Sequence, residues 1–195
     1  RNRSPAIQCS SLGNMRDNGF TSGHEIELED DQLIISRADI QGRIVFANAD
    51  FVEISGFSEE ELLGQPHSVI RHPDVPSAVF ADFWRDLSAG RPWIGMLKNR
   101  CKNGDAYWVE AHVSPIWKDG AIVGFMSMRR KPNRAQIQSA EQAFAAMRAD
   151  PKVALNFRHG VLPSGGLLER LGTRYKNAGL TAKVILASLL AAVIV

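Results

Sequence analysis

The segment "VIRHPDVPSAVFADFW", residues 69–84, gathers the side chains with the widest chemical scope. Arg71, His72 and Asp74 surround Pro73, and Phe80, Phe83 and Trp84 follow at helical spacing. Such a group serves a metal site, an acid/base site, a polar collar for a ligand, or the cap of a helix. The metal reading is weak. His67 and His72 stand five positions apart on a Pro-containing segment, and no Cys or Glu lies close by to complete a coordination shell. Hydrolytic chemistry fares no better. The chain has no G-x-S-x-G, H-E-x-x-H, P-loop or G-x-G-x-x-G, and no paired carboxylates at a suitable place. An enzyme is therefore not expected, and no metal ligand is assigned.

Ligand binding suits the residues better. In "PWIGMLKNR" a period of two puts Trp93, Gly95, Leu97 and Asn99 on one face, so an amide shares a face with apolar side chains. A buried amide needs a hydrogen-bond partner, and a flat, mostly apolar ligand with an amide-like edge would supply one. Gly95 would leave room for a ring, and Phe80 and Trp84 would add aromatic surface. Asn99 equally fits a strand end that pairs with backbone ahead of the Asn103-Gly104 turn.

The elements that must position these residues are readable. "QLIISRAD" and "RIVFAN" are β-branched runs joined through Gly42, a hairpin pattern. Short helical pieces follow, with Ser58 and Glu61 spaced as a capping box. Phe80, Phe83, Trp84 and Leu87 form one helical stripe. Three strand-like runs then come in succession, the first two linked through "KNGD" and the last two through "KDG". This order predicts an α+β domain over residues 32–130: a five-stranded antiparallel sheet with short helices on one side.

The flanks differ from this domain. Residues 1–31 are predicted to be a flexible lead, with residues 1–24 read as either a flexible lead or non-native sequence and Met15 as a candidate start. Residues 131–180 read as a helical, basic linker with seven basic and three acidic residues from 132 onward, and Ile137, Ala140, Phe144 and Met147 form a narrow stripe suited to a partner helix. Residues 181–195 are apolar apart from Thr181, Lys183 and Ser188 and read as the start of a truncated transmembrane segment, continuing past Val195. Arg170, Arg174, Lys176 and Lys183 flank it and would hold the preceding residues on the cytoplasmic face of a bacterial inner membrane. A net charge of +2 without basic runs gives no case for nucleic acid, and two distant cysteines, Cys9 and Cys101, fit a reducing compartment.

"GRIVFANADFVEISGFSEEELLGQPHSVIRHPDVP", with "KNRCKNGDAYWVEAHVSPIWKDGAIVGFMSMRR", resembles a PAS domain. More narrowly, "IRHPDVPSAVFADFW", "PWIGMLKNR" and "NGDAYWV" are similar to the flavin-binding PAS domain of bacterial aerotaxis receptors. The resemblance implies noncovalent FAD between the helices and the sheet. By position it assigns flavin retention to Arg71, His72 and Asp74, and other pocket roles to Asn48, Phe80, Trp84, Trp93, Asn99 and Tyr107. It implies redox or oxygen sensing, a homodimer, a downstream signalling domain of the same chain, and the chemotaxis kinase machinery as partner. Segment 65–75 has no cysteine of the photochemical kind, which argues against a light-driven adduct. Haem b on His67 or His72 is the rival cofactor. An unliganded interaction module feeding a kinase or cyclic-dinucleotide enzyme is the rival function.

Overall fold

A computed structural model describes residues 20–154 and 157–160. The chain runs β1 (Ile34–Asp39), β2 (Ile44–Ala47), α1 (Ala49–Ser55), α2 (Glu59–Leu62), a 3-10 turn (His67–Ile70), α3 (Ser77–Ser88), β3 (Trp93–Arg100), β4 (Ala106–Lys118), β5 (Ala121–Arg130), α4 (Arg134–Ala149) and α5 (Pro151–Ala154). The five strands form one antiparallel sheet in the order β2-β1-β5-β4-β3. The three chain-adjacent pairs, β1–β2, β3–β4 and β4–β5, are antiparallel hairpins. The helices between β2 and β3 allow the second set to return and zip β5 against β1.

Local chemistry sets these boundaries. Ser58 accepts from the Glu61 backbone N–H while the Glu61 carboxylate accepts from the Ser58 N–H, the reciprocal capping box read from the sequence. Asp119 and Gly120 both adopt positive φ, 51° and 76°, which gives the two-residue turn between β4 and β5 the twist that antiparallel strands require.

The sheet has two faces with different duties. On β3, Trp93, Gly95, Leu97 and Asn99 alternate inward as the period of two requires. They face Val113, Ala111, Val109 and Tyr107 of β4 in direct register. With Ile34, Ile44, Phe51, Leu62, Val79 and Leu87 these make the core. The outer face of β3 and β4 is covered by α4. Ile137, Ala140, Phe144 and Met147 are buried, and the Phe144 ring lies 5.7 Å from that of Trp108. The stripe expected to meet a partner helix thus meets the domain's own sheet, because Trp108 alternates outward and presents an apolar surface there.

Two further expectations change. Residues 20–31, assigned to the flexible lead, are docked: Ser22 donates to Asp105 (2.5 Å), Glu25 bridges to Ala106, and Leu28 is buried. Their lack of apolar period is no bar, since they attach mainly through backbone bonds along the start of β4. Residues 134–154 and 157–160 are likewise part of the domain's packing rather than a detached linker. The apolar segment at 181–195, and with it most of the basic stretch before it, lies outside the described residues. Among the described residues no helix is long and apolar enough to cross a membrane.

Candidate functional site

The inner sheet face carries an unusual load of polar groups. Asn99 stands opposite Tyr107 across β3 and β4. Ser127 and Arg129 point inward from β5, opposite Ser36 and Ile34 of β1. All of them are buried, with Arg129 only 4% exposed and Tyr107 0%. Asn99 Nδ2, the Tyr107 hydroxyl, Ser127 Oγ and Arg129 Nη1 have no hydrogen-bond partner among the described residues. The Asn99 amide lies beside the Tyr107 phenol closely enough to affect it, but the geometry completes no bond. Burial pushes the phenol's pKa up, so it remains a neutral donor. A buried polar atom left unpaired costs roughly 1–3 kcal/mol. Four of the six such atoms among the described residues share this one face.

The other guanidinium nitrogen of Arg129 is engaged. Nη2 donates to Ser36 Oγ (3.2 Å) and to His67 Nε2 (2.9 Å), and Ser36 Oγ is 2.9 Å from the same imidazole nitrogen. A guanidinium only donates, so His67 Nε2 is the acceptor and the ring proton sits on Nδ1. The ring stacks on Phe51 at 5.8 Å, and Arg129 lies over that same ring at 5.3 Å. His67 as a whole is half-buried. Its imidazole is nonetheless packed deep, and this desolvation, with repulsion from Arg129, lowers its pKa to about 3. Arg129 itself is lowered by burial to about 10 and stays charged at neutral pH. Arg129, Ser127 and Ser36 were not legible as site residues. In "FMSMRR" the outward Arg130 masks its inward neighbour, and the pair reads as a basic strand end.

The RHPD loop lies against this face. Arg71 makes an isolated backbone bridge to Asn99, which sets the loop beside the end of β3. Its guanidinium covers the Phe80 ring at 4.2 Å and donates to the Val75 carbonyl (3.0 Å). His72 is buried and holds the turn: its Nδ1 accepts from the Asp74 N–H (3.1 Å). Burial, with the charge of Lys98, lowers its pKa to about 4. The Asp74 carboxylate faces Lys98 (2.9 Å), and its carbonyl takes a hydrogen bond from Arg148 of α4. His72 and Asp74 therefore shape the loop, while Arg71 and Phe80 stand nearest the polar face.

Trp84, Phe83, Trp93 and Phe125 make an aromatic cluster beyond it, with ring centroids 5.0–5.4 Å apart. Trp93 also fills the room that Gly95 leaves. A Cβ on Gly95 would come within 2.5 Å of the indole. The space expected for a ligand ring is thus taken by the chain's own indole at that point. Asn48 is placed elsewhere. Its Oδ1 accepts from the Ile35 and Phe51 N–H groups (2.9 and 3.2 Å), and its Nδ2 donates to the Leu33 carbonyl (2.7 Å), capping α1 and pinning it to β1. Asn48→Ala is expected to cost about 1–2 kcal/mol by loss of the cap, seen as a lowered urea midpoint; an unchanged midpoint would mean that water replaces the amide without loss.

Other features contribute less. The Cys101 thiol donates to the Ile54 carbonyl (3.1 Å), and burial pushes its pKa up to about 11, an inert thiol. Among the described residues no group of three His, Cys, Asp or Glu side chains is arranged for a metal. Two surface hollows, one beside Trp108 and Ile137 and one beside Ile54 and Cys101, contain none of the inward polar atoms.

Residues 44–128, from the start of β2 into β5, match the family described as the PAS fold. The described residues form a PAS domain. The chain is 39% identical over 157 residues, 80% of its length, to the aerotaxis receptor of Escherichia coli (strain K12), spanning 31% of that protein. It is 30% identical over 153 residues, 71% of its length, to a biofilm dispersion protein of Pseudomonas aeruginosa, spanning 36% of it. A light-oxygen-voltage domain studied through a flavin analogue shares the fold at a TM-score of 0.51 and 19% identity, covering 60% of this chain and 87% of that one. The chain thus spans about a third of the length of these two curated proteins, and its PAS domain is similar in sequence to part of an aerotaxis receptor.

Proposed function

We propose that this domain binds FAD between its sheet and α1–α3 and serves as the redox or oxygen sensor of a membrane-anchored receptor of the aerotaxis type, not as an enzyme. One observation carries the reading: four buried polar atoms without partners, on Asn99, Tyr107, Ser127 and Arg129, converge on the inner sheet face. Their chemistry fits a flavin. An amide donor, two hydroxyls and a guanidinium complement the carbonyl and nitrogen edge of an isoalloxazine ring. Arg71, over Phe80, offers a cation to the phosphate-bearing end, and Trp84 and Phe83 offer flat surface. Bound flavin supplies reversible electron transfer, which the residues here tune by fixed charge.

Each residue has a separate duty in this account. Arg129 holds a positive charge in a dry interior, which favours negative charge on whatever lies beside it. Asn99 presents its donor at the end of β3, where the Arg71 bridge links the sheet to the RHPD loop. His67 stays neutral and orients Arg129 through Nε2. The same contact disfavours haem, because the nitrogen that would bind iron already accepts from Arg129 and lies against Ser36, while His72 Nδ1 accepts from Asp74. Homodimerisation, a downstream signalling domain, the chemotaxis kinase machinery and an anchor beginning near residue 181 at the cytoplasmic face of the inner membrane belong to the same reading.

Flavin titration of the wild-type chain and of Asn99→Ala and Arg71→Ala tests it. FAD should bind the wild type, and each variant should weaken binding about tenfold or more, the worth of one charge-assisted or buried hydrogen bond. Undiminished binding in both variants would remove these residues from the site.

A further inference from the structure

Helix α3 carries two aspartates on its buried side, Asp82 and Asp86, only 1% and 0% exposed. Nothing in the flavin site uses them. Their partners come from three directions. Asp86 Oδ1 accepts from Arg91 Nε (3.2 Å) and Nη2 (2.7 Å), and its Oδ2 lies 2.7 Å from His159 Nδ1. Asp82 Oδ1 accepts from Arg85 and from the His159 backbone N–H (3.0 Å). Asp82 Oδ2 accepts from the Trp93 indole Nε1–H (2.9 Å) and from the Gly160 backbone N–H (2.8 Å). One carboxylate oxygen therefore joins a pocket side chain to the chain segment that leaves the domain.

The seat for that segment is close-fitting. A Cβ on Gly160 would fall 1.8 Å from the Ile94 carbonyl oxygen, and one on Gly95 would lie 3.1 Å from Gly160 Cα. Gly160 has φ of 77°, and Phe157 is buried. Two glycines thus let the returning segment lie directly on the edge strand β3. Isolated buried carboxylates are costly unless well bonded. Here the backbone N–H groups of residues 159 and 160 supply two of the bonds Asp82 needs, so leaving the seat exposes a penalty at the pocket wall.

We propose that Asp82 is the latch through which the state of the pocket is passed to the C-terminal exit of the domain: Trp93 and the 159–160 backbone share its carboxylate, so a shift of the indole loosens or tightens the exit segment. The ligand part of this inference rests on the flavin reading above; the latch itself does not. When the indole is displaced, Oδ2 loses one of two donors and the carboxylate turns, and the Gly160 bond changes with it. The aromatic wall of α3 and the exit segment then move as one unit. A population shift of this kind needs contacts that differ between two states, and the shared oxygen provides one.

The test is amide hydrogen exchange at His159 and Gly160 in the whole 195-residue chain. Asp82→Asn replaces one acceptor oxygen by a donor and should speed exchange at both amides by about tenfold or more. Trp93→Phe keeps an aromatic ring but removes the indole N–H together with the second ring, and should speed Gly160 exchange at least about threefold; this arm needs no ligand. Gly160→Ala should free the segment and, because coupling is reciprocal, shift FAD affinity by the factor with which FAD shifts the opening of the seat; it covers the case that Asp82→Asn does not fold. In chain that binds FAD, Gly160 exchange should differ between apo and loaded protein. Unaltered Gly160 exchange in Trp93→Phe, or the same exchange in apo and FAD-loaded protein, overturns the latch. Failure to take up FAD, with the Trp93→Phe effect intact, overturns only the flavin reading.

Discussion

Replacing Arg129 by methionine should make the flavin-free protein more stable, by about 1–3 kcal/mol, while weakening flavin binding. The two effects have opposite signs because Arg129 is a buried charge without a carboxylate beside it. Its neighbours are Ser36, His67 and the Phe51 ring, none of them anionic, and Nη1 has no partner among the described residues. Burial lowers its pKa to about 10 but leaves it charged at neutral pH, so the folded apo protein carries the desolvation cost in full. Methionine fills similar volume without that cost. On the flavin reading proposed above, the same guanidinium would gain an electronegative neighbour in the loaded protein. Losing a charge-assisted hydrogen bond then costs roughly 1.5–3 kcal/mol, or about tenfold to a hundredfold in affinity. Urea melts of the apo proteins and flavin titrations measure the two halves. A destabilised apo variant with full flavin affinity would show that Arg129 is structural only.

Acid should destabilise the domain well before its carboxylates protonate. His67 and His72 have pKa values near 3 and 4 in the fold, against an unfolded value near 6.5. Both are depressed, so the unfolded chain binds protons first as the pH falls. Each histidine then contributes stability that is present above pH 6.5 and lost on acidification, at about 1.4 kcal/mol per pH unit until its folded pKa is reached. Between pH 6.5 and 5 the two together should remove about 3–4 kcal/mol, a large share of the stability of a small domain. The lowered carboxylates, Asp74 and Asp86 among them, act in the same direction but in a lower window, below about pH 4. His67→Gln keeps the acceptor for Arg129 without the titration. It should roughly halve the slope between pH 6.5 and 5, and an unchanged slope would place the proton uptake elsewhere.

Much of this architecture is legible from local pattern. The capping box at Ser58 and Glu61, the turn at Asp119-Gly120 and the inward set Trp93, Gly95, Leu97 and Asn99 follow from backbone chemistry and period two, and all appear in the fold. Long-range choices are less visible. Nothing in "RAQIQSAEQAFAAMR" says whether its apolar stripe meets another helix or the Trp108 face of its own sheet. Asn48 has the residue type of a ligand contact, yet its amide is consumed by the cap of α1 and the backbone of β1. The RHPD block is adjacent in sequence but divides in space. Arg71 bridges to Asn99, while Asp74 turns to Lys98 and Arg148 and His72 holds the turn between them. Asp82 and Asp86 sit in a run that reads as an aromatic face, and their burial is explained by partners outside the helix, Trp93, Arg91 and the returning residues 159–160.

The absorption spectrum of the gently purified 195-residue chain tests the central claim most directly. Two broad flavin bands that bleach on reduction, with FAD released on denaturation at close to one per domain, are the expected result. A Soret band, or a spectrum without any visible chromophore that added FAD fails to change, would contradict it.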